Sequence, residues 1–151
     1  MKTGKTNAMR ILDKEKITYT MLTYSADDGE KIGREPGVVY KTLIAQGTGK
    51  GYYVFVIPVE AELDLKKAAK AVSEKKIEMI PVKDITAVTG YIRGGCSPIG
   101  MKKQFPTIID QHAQALDVMI VSGGQIGVQI EIHPEALRKM TKAVWADVIL
   151  G

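Results

Sequence analysis

The sequence predicts an α/β fold: a single domain, residues 1–151, in which a mixed central β-sheet is flanked by helices. Strand-like and helix-like segments alternate irregularly, and at least two pairs of strand-like segments are joined by glycine-containing turns. Such turns make antiparallel hairpins, so the pattern favours a mixed sheet over a doubly wound parallel one. A length of 151 residues with 45% hydrophobic composition suits one compact domain.

The first half of the chain begins with a helical pattern and continues into strands. Thr6 and Asn7 are good helix-capping residues, and apolar residues follow them at near-helical spacing. Two apolar, β-favouring runs then flank the glycine-rich turn 47–51, which predicts a hairpin in the middle of a sheet. In chain order we expect a helix over 6–16, a strand over 17–24, a loop over 25–36, and hairpin strands over 38–46 and 52–58.

The second half predicts three further helices and three short strands. The helix after the hairpin is amphipathic, with lysines toward solvent and an apolar, core-facing side made of Leu63, Leu65, Ala68, Ala69 and Val72. A proline in its first turn marks the start of the next helix. In chain order we expect helices over 62–73 and 81–88, strands over 107–110, 117–122 and 127–132, and a helix from 134 to about 142.

Charge and composition limit the partners and the compartment. The net charge is +4 and the isoelectric point is about 9.1, which fits either a polyanionic partner or a basic surface in water. No apolar run approaches the roughly 20 residues that span a bilayer, and the basic N-terminus lacks the apolar segment of a signal peptide. With one cysteine, the chain is expected to act in the reducing cytoplasm, without a membrane.

Several common kinds of site do not fit the sequence. The turn 47–51 joins two strands instead of opening a helix, so it is not a phosphate-binding loop. The glycines of 123–127 lead from strand to strand, which fails the dinucleotide-binding pattern. Two histidines, His112 and His133, together with one cysteine offer few sets of converging metal ligands. We therefore expect no metal and no cofactor.

Cys96 has two interpretations. It lies among glycines in the segment 94–98, where a thiol could act as a nucleophile. Activation requires a nearby histidine or another group that stabilises the thiolate, and neither histidine is near in the sequence. A buried, unreactive cysteine is the commoner outcome.

A lysine interrupts a strand that should be buried. Lys41 and Thr42 lie within the run 39–43, and an ammonium in an apolar sheet is costly unless it is paired or faces a wet cavity. Two interpretations stay open. Lys41 could be an edge lysine whose head reaches solvent, or it could hold an anion or a polarised carbonyl in a pocket at the strand end.

The segment 89–100 is the richest in glycine, and its composition is not that of a disordered linker. A shaped loop of this kind can present backbone N–H groups to an oxygen-rich ligand. The alternative is a crossover that binds nothing.

Taken together, these segments resemble the YbaK/EbsC family of prolyl-tRNA editing-domain-like proteins. The resemblance covers nearly the whole chain, and its strength lies in the order and spacing of the matching pieces. These pieces are 23–24, 39–43, 63–70, 75–79, 89–91, the run Gly-Gly-Cys-Ser-Pro-Ile-Gly at 94–100, 102–103, 106–110 and 121–124.

The resemblance implies an enzyme that deacylates mischarged tRNA, with Cys-tRNA(Pro) as the expected substrate. The implied partners are the aminoacyl-tRNA acceptor end and prolyl-tRNA synthetase. Lys41 is the implied catalytic residue. The implied substrate-binding residues are Tyr24, Thr42, Gly94, Gly95, Ser97, Pro98, Gly100 and Gln129.

The mechanism implied by the resemblance uses the thiol of the esterified cysteine, which attacks its own ester carbonyl and leaves as a cyclic thiolactone. The enzyme orients the ester and stabilises developing negative charge. In this scheme Lys41 holds the terminal adenosine and its phosphate, while backbone donors face the carbonyl.

Two departures from the family pattern concern the pocket. The better-known members have Gly-x-Asp-Ile-Glu in the last hairpin, whereas this chain has Gln129 in place of the aspartate. The loop between Tyr24 and Lys41 is also shorter and lacks a phenylalanine found in some relatives. Two alternatives therefore stay open: deacylation of another small aminoacyl-tRNA such as Ala-tRNA(Pro), and a non-catalytic module that binds tRNA or a synthetase.

Overall fold

The structure, a computed structural model, describes residues 5–23, 36–92 and 94–151. It has the predicted α/β architecture. In chain order the helices and strands are α1 (Asn7–Lys14), β1 (Tyr19–Thr23), β2 (Tyr40–Gly47), β3 (Tyr52–Pro58), α2 (Leu65–Ala71), β4 (Ile77–Met79), α3 (Ile85–Thr89), β5 (Thr107–Asp110), β6 (Met119–Gln125), β7 (Val128–Ile132), α4 (Pro134–Thr141) and β8 (Val144–Ala146). Short 3-10 turns occupy Pro36–Val38, Val82–Asp84 and Gln111–Ala115.

The strands form two sheets. A five-stranded sheet has the order β4-β2-β3-β5-β8, and a three-stranded sheet has the order β1-β7-β6. In the larger sheet β2 is antiparallel to β3 and β4, whereas β5 is parallel to β3 and β8. The predicted mixed sheet, with the β2–β3 hairpin at its centre, is therefore confirmed. The antiparallel sheet of β1, β7 and β6 is a separate unit that the sequence does not distinguish.

The differences from the predicted elements concern short segments. Strands β4 and β8 have three residues each, too few to show a period, and the sequence does not predict them. The predicted helix over 81–88 is a 3-10 turn followed by the five-residue helix α3. The loop predicted over 25–36 lies outside the described part of the chain, apart from Pro36.

The prediction that Leu65 faces the core is wrong. Asp64 caps α2, because its side chain accepts hydrogen bonds from two backbone N–H groups of the first turn, at 3.0 and 3.1 Å. This cap places Leu65 at the first helical position, where its side chain is 42% exposed. The core-facing residues of the helix are Ala68 and Ala69.

Two hydrophobic cores lie on the two faces of the five-stranded sheet, because successive side chains of a strand alternate between faces. Val54 and Val56 of β3 belong to the larger core, which also contains residues of α1, β6 and β7. Phe55 and Ile57, the alternate residues of β3, belong to a smaller core that contains residues of α2. The larger core therefore joins the two sheets.

The two sheets also meet through the backbone. Val39, immediately before β2, forms an isolated parallel bridge with Ile120 of β6. Helix α1 is joined to the smaller sheet, because Thr6 Oγ1 donates to Gly123 O of β6 (2.5 Å) and accepts from Met9 N (3.2 Å) as the helix N-cap. The start of β2 is thus held next to the β6–β7 hairpin.

Hydrogen bonds among its own residues shape the glycine-rich loop that follows α3. Thr89 Oγ1 accepts from Tyr91 N (3.0 Å), and the Tyr91 hydroxyl donates to Ile99 O (2.5 Å). Ser97 Oγ accepts from Ile99 N (3.2 Å). Both Ser97 and Tyr91 are buried, so the described part of this loop is an ordered element, as the sequence predicts.

We expect Gly100→Ala to destabilise the protein by about 1–3 kcal/mol, the usual cost of a side chain in a strained left-handed conformation. Gly100 has φ +79°, and an added Cβ would lie 2.8 Å from Asn7 Nδ2 and 2.9 Å from the Tyr91 hydroxyl. The matched control is Gly37→Ala, because no atom of the described residues lies within 4 Å of a Cβ built there. Urea unfolding of both variants measures the difference. Equal stabilities would contradict a tightly packed loop at Gly100.

Candidate active site

A small cavity lies where the start of β2 meets the β6–β7 hairpin and the glycine-rich loop. This junction cavity has a volume of about 180 Å³ and is lined by Val39, Tyr40, Lys41, Thr42, Val59, Gly94, Cys96, Ser122, Val128 and Gln129. Four consecutive residues, 39–42, line it. Successive residues of a strand point to opposite faces, so a cavity lined by four in a row lies around the beginning of β2 and not on one face of it.

The structure brings four of the predicted site residues together in the junction cavity: Lys41, Thr42, Gly94 and Gln129. Strand β2 positions the first two, and strand β7 positions Gln129. Gly94 has φ +87°, a left-handed conformation that glycine adopts without strain, so the loop backbone can turn at the cavity wall.

The other predicted site residues do not line this cavity. Ser97 and Pro98 are buried within the glycine-rich loop, and the carbonyl of Gly100 accepts a hydrogen bond from a side-chain amide of α1 at 3.2 Å. Gly95 lines a different cavity. Tyr24 lies outside the described residues. A direct role for any of the five in substrate binding stays a prediction.

Two buried polar atoms of the cavity have no hydrogen-bond partner among the described residues: Thr42 Oγ1 and Gln129 Oε1. Leaving a buried polar atom unpaired costs about 1–3 kcal/mol. Both atoms belong to residues that line the junction cavity, so a ligand with hydrogen-bond donors would remove this cost. The pair makes the cavity a candidate binding site for a polar group.

Ser122 is a cavity residue that the sequence analysis does not select. It pairs with Gln129 across the β6–β7 hairpin, and its Oγ accepts from Gly124 N (3.2 Å). The register shifts between Ser122 and Gln125, as expected of a β-bulge, a feature that often occurs next to active sites. Without this shift, regular antiparallel pairing continued from Gln125–Val128 would place Gly124, and not Ser122, opposite Gln129. No local signal therefore identifies Ser122.

Lys41 is the one charged side chain among the described residues that line the junction cavity. Burial, and then the negative charge of Asp110, raise the pKa of the Tyr40 phenol to about 12. Tyr40 is therefore a neutral hydroxyl at physiological pH. An ammonium beside neutral polar groups favours an anion, or negative charge that develops during a reaction.

Cys96 lines the cavity, but its thiol is not activated as a nucleophile. Burial raises the pKa of its thiol to about 11, and a hydrogen bond with Thr89 opposes this shift only in part. Neither histidine lines the cavity: His112 Nδ1 lies 2.7 Å from Asp110 Oδ2, and His133 Nδ1 accepts from a backbone N–H of α4 at 3.1 Å. Because the thiolate is the reactive form, the structure favours the unreactive interpretation of Cys96.

The described residues of the junction cavity offer one ammonium, several hydroxyl groups, one side-chain amide and the backbone of Gly94. Elsewhere in the described ranges, no group of three or more His, Cys, Asp or Glu side chains is placed to hold a metal ion. Among the described helices, none has the length and apolar character needed to cross a bilayer.

A matching domain family and one similar protein both concern aminoacyl-tRNA editing. Residues 21–140 match the aminoacyl-tRNA editing domain. A protein of Enterococcus faecalis (strain ATCC 700802 / V583), described as a candidate Cys-tRNA(Pro)/Cys-tRNA(Cys) deacylase, EbsC, is 47% identical over 152 residues, which cover 95% of this chain and 93% of that protein.

Two solved structures share the fold. A crystal structure described as a candidate trans-editing enzyme for prolyl-tRNA synthetase has a TM-score of 0.82 at 24% identity, over 99% of this chain and 100% of that one. A crystal structure of a hypothetical protein has a TM-score of 0.87 at 21% identity, over 96% and 100% of the two chains.

We expect the Cys96 thiol of the folded protein to be alkylated by iodoacetamide roughly a hundred times more slowly near neutral pH than the thiol of the unfolded chain, because the thiolate fraction falls tenfold per pKa unit. The pKa is about 11, against an ordinary value of 9.0. Mass spectrometry of alkylation time courses, with and without denaturant, measures the two rates. Equal rates would contradict a buried thiol with a raised pKa.

Proposed function

Because the chain belongs to the aminoacyl-tRNA editing-domain family, we propose that it is a trans-editing deacylase that removes cysteine from mischarged Cys-tRNA(Pro). The observation that supports this most is the junction cavity, where Lys41 lies with two buried polar atoms, Thr42 Oγ1 and Gln129 Oε1, that have no hydrogen-bond partner in the described part of the chain. The description of the 47% identical relative supports cysteine as the acyl group.

The size of the junction cavity suits a small aminoacyl group. Its volume of about 180 Å³ corresponds to roughly six water molecules, and a cysteinyl group has a similar number of heavy atoms. Pockets that enclose a drug-sized ligand begin at about 300 Å³. We therefore place the aminoacyl group in the junction cavity and the nucleoside that carries it outside.

The proposed reaction uses the thiol of the substrate. The Sγ atom of the esterified cysteine attacks its own carbonyl carbon, so that a C–S bond forms and the ester C–O bond breaks. The thiol proton ends on the released ribose hydroxyl, and the products are free tRNA and a cyclic thiolactone. This intramolecular attack requires orientation and not a protein nucleophile, which agrees with the raised pKa of Cys96.

The cavity residues then have distinct roles. Thr42 Oγ1 and Gln129 Oε1 are acceptors available to the α-ammonium of the cysteinyl group. The Lys41 ammonium can offset negative charge that develops on the reacting atoms. The backbone of Gly94 is available to the ester carbonyl.

We expect Lys41→Ala to slow the enzyme-dependent decay of Cys-tRNA(Pro) by about 10²–10³-fold, the usual cost of removing one group that stabilises developing charge. The matched control is Lys139→Ala, an exposed lysine on α4 that does not line the cavity. The measurement is the loss of radiolabelled cysteine from tRNA(Pro) with each purified protein. A Lys41→Ala protein as active as Lys139→Ala would remove Lys41 from the proposed mechanism.

Substrate-thiol assistance predicts a strong preference for cysteine. Wild-type protein should accelerate the decay of Cys-tRNA(Pro) and leave S-methylcysteinyl-tRNA(Pro) at its spontaneous rate, because the methylated sulfur cannot cyclise. Cys96→Ala should retain activity, since its thiol takes no part. Turnover of the S-methyl ester at the cysteine rate would contradict cyclisation and indicate attack by water.

A second candidate substrate is Ala-tRNA(Pro). The small cavity admits alanine, and Gln129 supplies a neutral amide where the family has a carboxylate. Decay assays with Cys-, Ala- and Pro-charged tRNA decide between the two substrates, and tight binding without any faster decay would instead indicate a non-catalytic module.

We also propose that the protein works in the cytoplasm on the acceptor end and takes tRNA identity from prolyl-tRNA synthetase. The support is the small size of the chain, 151 residues, against that of a tRNA. The decay of the charged tRNAs is measured with and without added prolyl-tRNA synthetase. Its addition should raise the preference for tRNA(Pro) over tRNA(Cys), and an unchanged preference would count against the partnership.

A further inference from the structure

Two further cavities follow the junction cavity along the same strands, and each shares lining residues with the one before it. A neighbouring apolar cavity of about 310 Å³ shares Thr42, Gly94 and Cys96 with the junction cavity. A third, the hairpin groove of about 480 Å³, shares Met79 and Ile80 with the apolar cavity. The three cavities lie in a row along strands β2 and β4, and we call this row the track.

The chemistry changes along this track. The middle, apolar cavity is lined chiefly by aliphatic side chains: Leu43, Ile44, Met79, Ile80, Val82 and Ile85. Two of these are unusually exposed for apolar residues, Met79 at 43% and Val82 at 53%. The hairpin groove has a mixed polar and apolar lining that includes two lysines, Lys50 and Lys76, of which Lys76 is paired with Glu78 at 3.2 Å.

Glu74 also lies near the hairpin groove, but its carboxylate already has hydrogen-bond partners. Glu74 Oε2 accepts from the Tyr53 hydroxyl (2.5 Å), and its Oε1 accepts from Thr48 Oγ1 (3.2 Å). These bonds lower the pKa of the carboxyl and hold the turn of the β2–β3 hairpin. Lys50 lies in this turn, and the hydrogen bonds of Glu74 hold the turn without the Lys50 side chain.

We propose that this track binds the 3′ single strand of the tRNA acceptor end, with the terminal adenosine in the apolar cavity and the preceding phosphates along Lys50 and Lys76. The inference rests on the proposed function, because it takes the aminoacyl group to occupy the junction cavity. A nucleoside joined to that group must lie in the adjoining space, and the adjoining space is apolar. Aliphatic walls suit the face of a base, and lysines suit phosphates.

The apolar cavity is tested with Met79→Glu, which places a carboxylate between the proposed sites of the base and the phosphates. The matched control is Val144→Glu, because Val144 is 54% exposed and lies on β8, the opposite edge strand of the same sheet. Thermal unfolding of both variants confirms that they fold. Fluorescence anisotropy then measures binding of an uncharged acceptor minihelix that ends in CCA and of one that lacks the terminal adenosine.

The wild-type protein should bind the CCA minihelix more tightly than the shortened one. Met79→Glu should weaken binding of the CCA minihelix by roughly tenfold, which is about 1.4 kcal/mol, and abolish the preference for the terminal adenosine, because the carboxylate replaces an apolar wall of the proposed base site and repels the neighbouring phosphates. Val144→Glu should preserve both. No preference in the wild type, or the same behaviour in both variants, would overturn the placement of the adenosine.

The lysines are tested with Lys50→Gln and the control Lys142→Gln. Both lysines are exposed and both have a left-handed backbone, with φ of 72° and 57°, so the substitutions carry the same conformational cost. Lys50→Gln should reduce the slope of log K against log salt for the CCA minihelix by about 0.7, the value for one phosphate contact with a single strand. An unchanged slope, or an equal fall in Lys142→Gln, would overturn the phosphate path.

The outcome separates this inference from the proposed activity. If the wild type accelerates decay of Cys-tRNA(Pro) while Met79→Glu behaves like Val144→Glu, the track is wrong and the deacylase stands. If binding depends on Met79 and the terminal adenosine but decay is not accelerated, the track stands and the deacylase is wrong.

Discussion

Strand β2 belongs to the five-stranded sheet, yet the residue before it, Val39, pairs with Ile120 of the other sheet. The beginning of β2 is therefore held between two sheets that share one hydrophobic core. Side chains near this point cannot all pack against one surface, and a cavity results whose lining comes from both sheets. A change that separated the sheets would take Lys41 away from Gln129, since each belongs to a different sheet.

The same junction explains why the cavity keeps unpaired polar groups. Thr42 Oγ1 and Gln129 Oε1 are buried without a partner among the described residues, at a cost of about 1–3 kcal/mol each. They belong to different sheets, Thr42 to the five-stranded and Gln129 to the three-stranded one, and both line the cavity where the sheets meet. In the proposed function the substrate supplies the missing donors, and it also supplies the nucleophile that Cys96, with its pKa of about 11, does not.

Much of the local structure could be predicted from the sequence. The β2–β3 and β6–β7 hairpins, the cap at Thr6 and the ordered glycine-rich loop follow from turn residues, capping residues and alternation. Strands β4 and β8 could not be predicted, because three residues are too few to show a period. Apolar spacing alone predicts Leu65 in the core, whereas the Asp64 cap sets where the helix begins and leaves Leu65 exposed.

The sequence by itself determined the kinds of residue at the site and the elements on which they lie: a lysine and a threonine inside an apolar strand, a glycine-rich loop, and an amide in the last hairpin. Only the tertiary structure decided which of these meet. It joined Lys41, Thr42, Gly94 and Gln129 and added Ser122 through a register shift in the β6–β7 hairpin. Periodicity and capping act over a few residues, whereas contact between separate sheets depends on core packing and strand register, which no local pattern specifies.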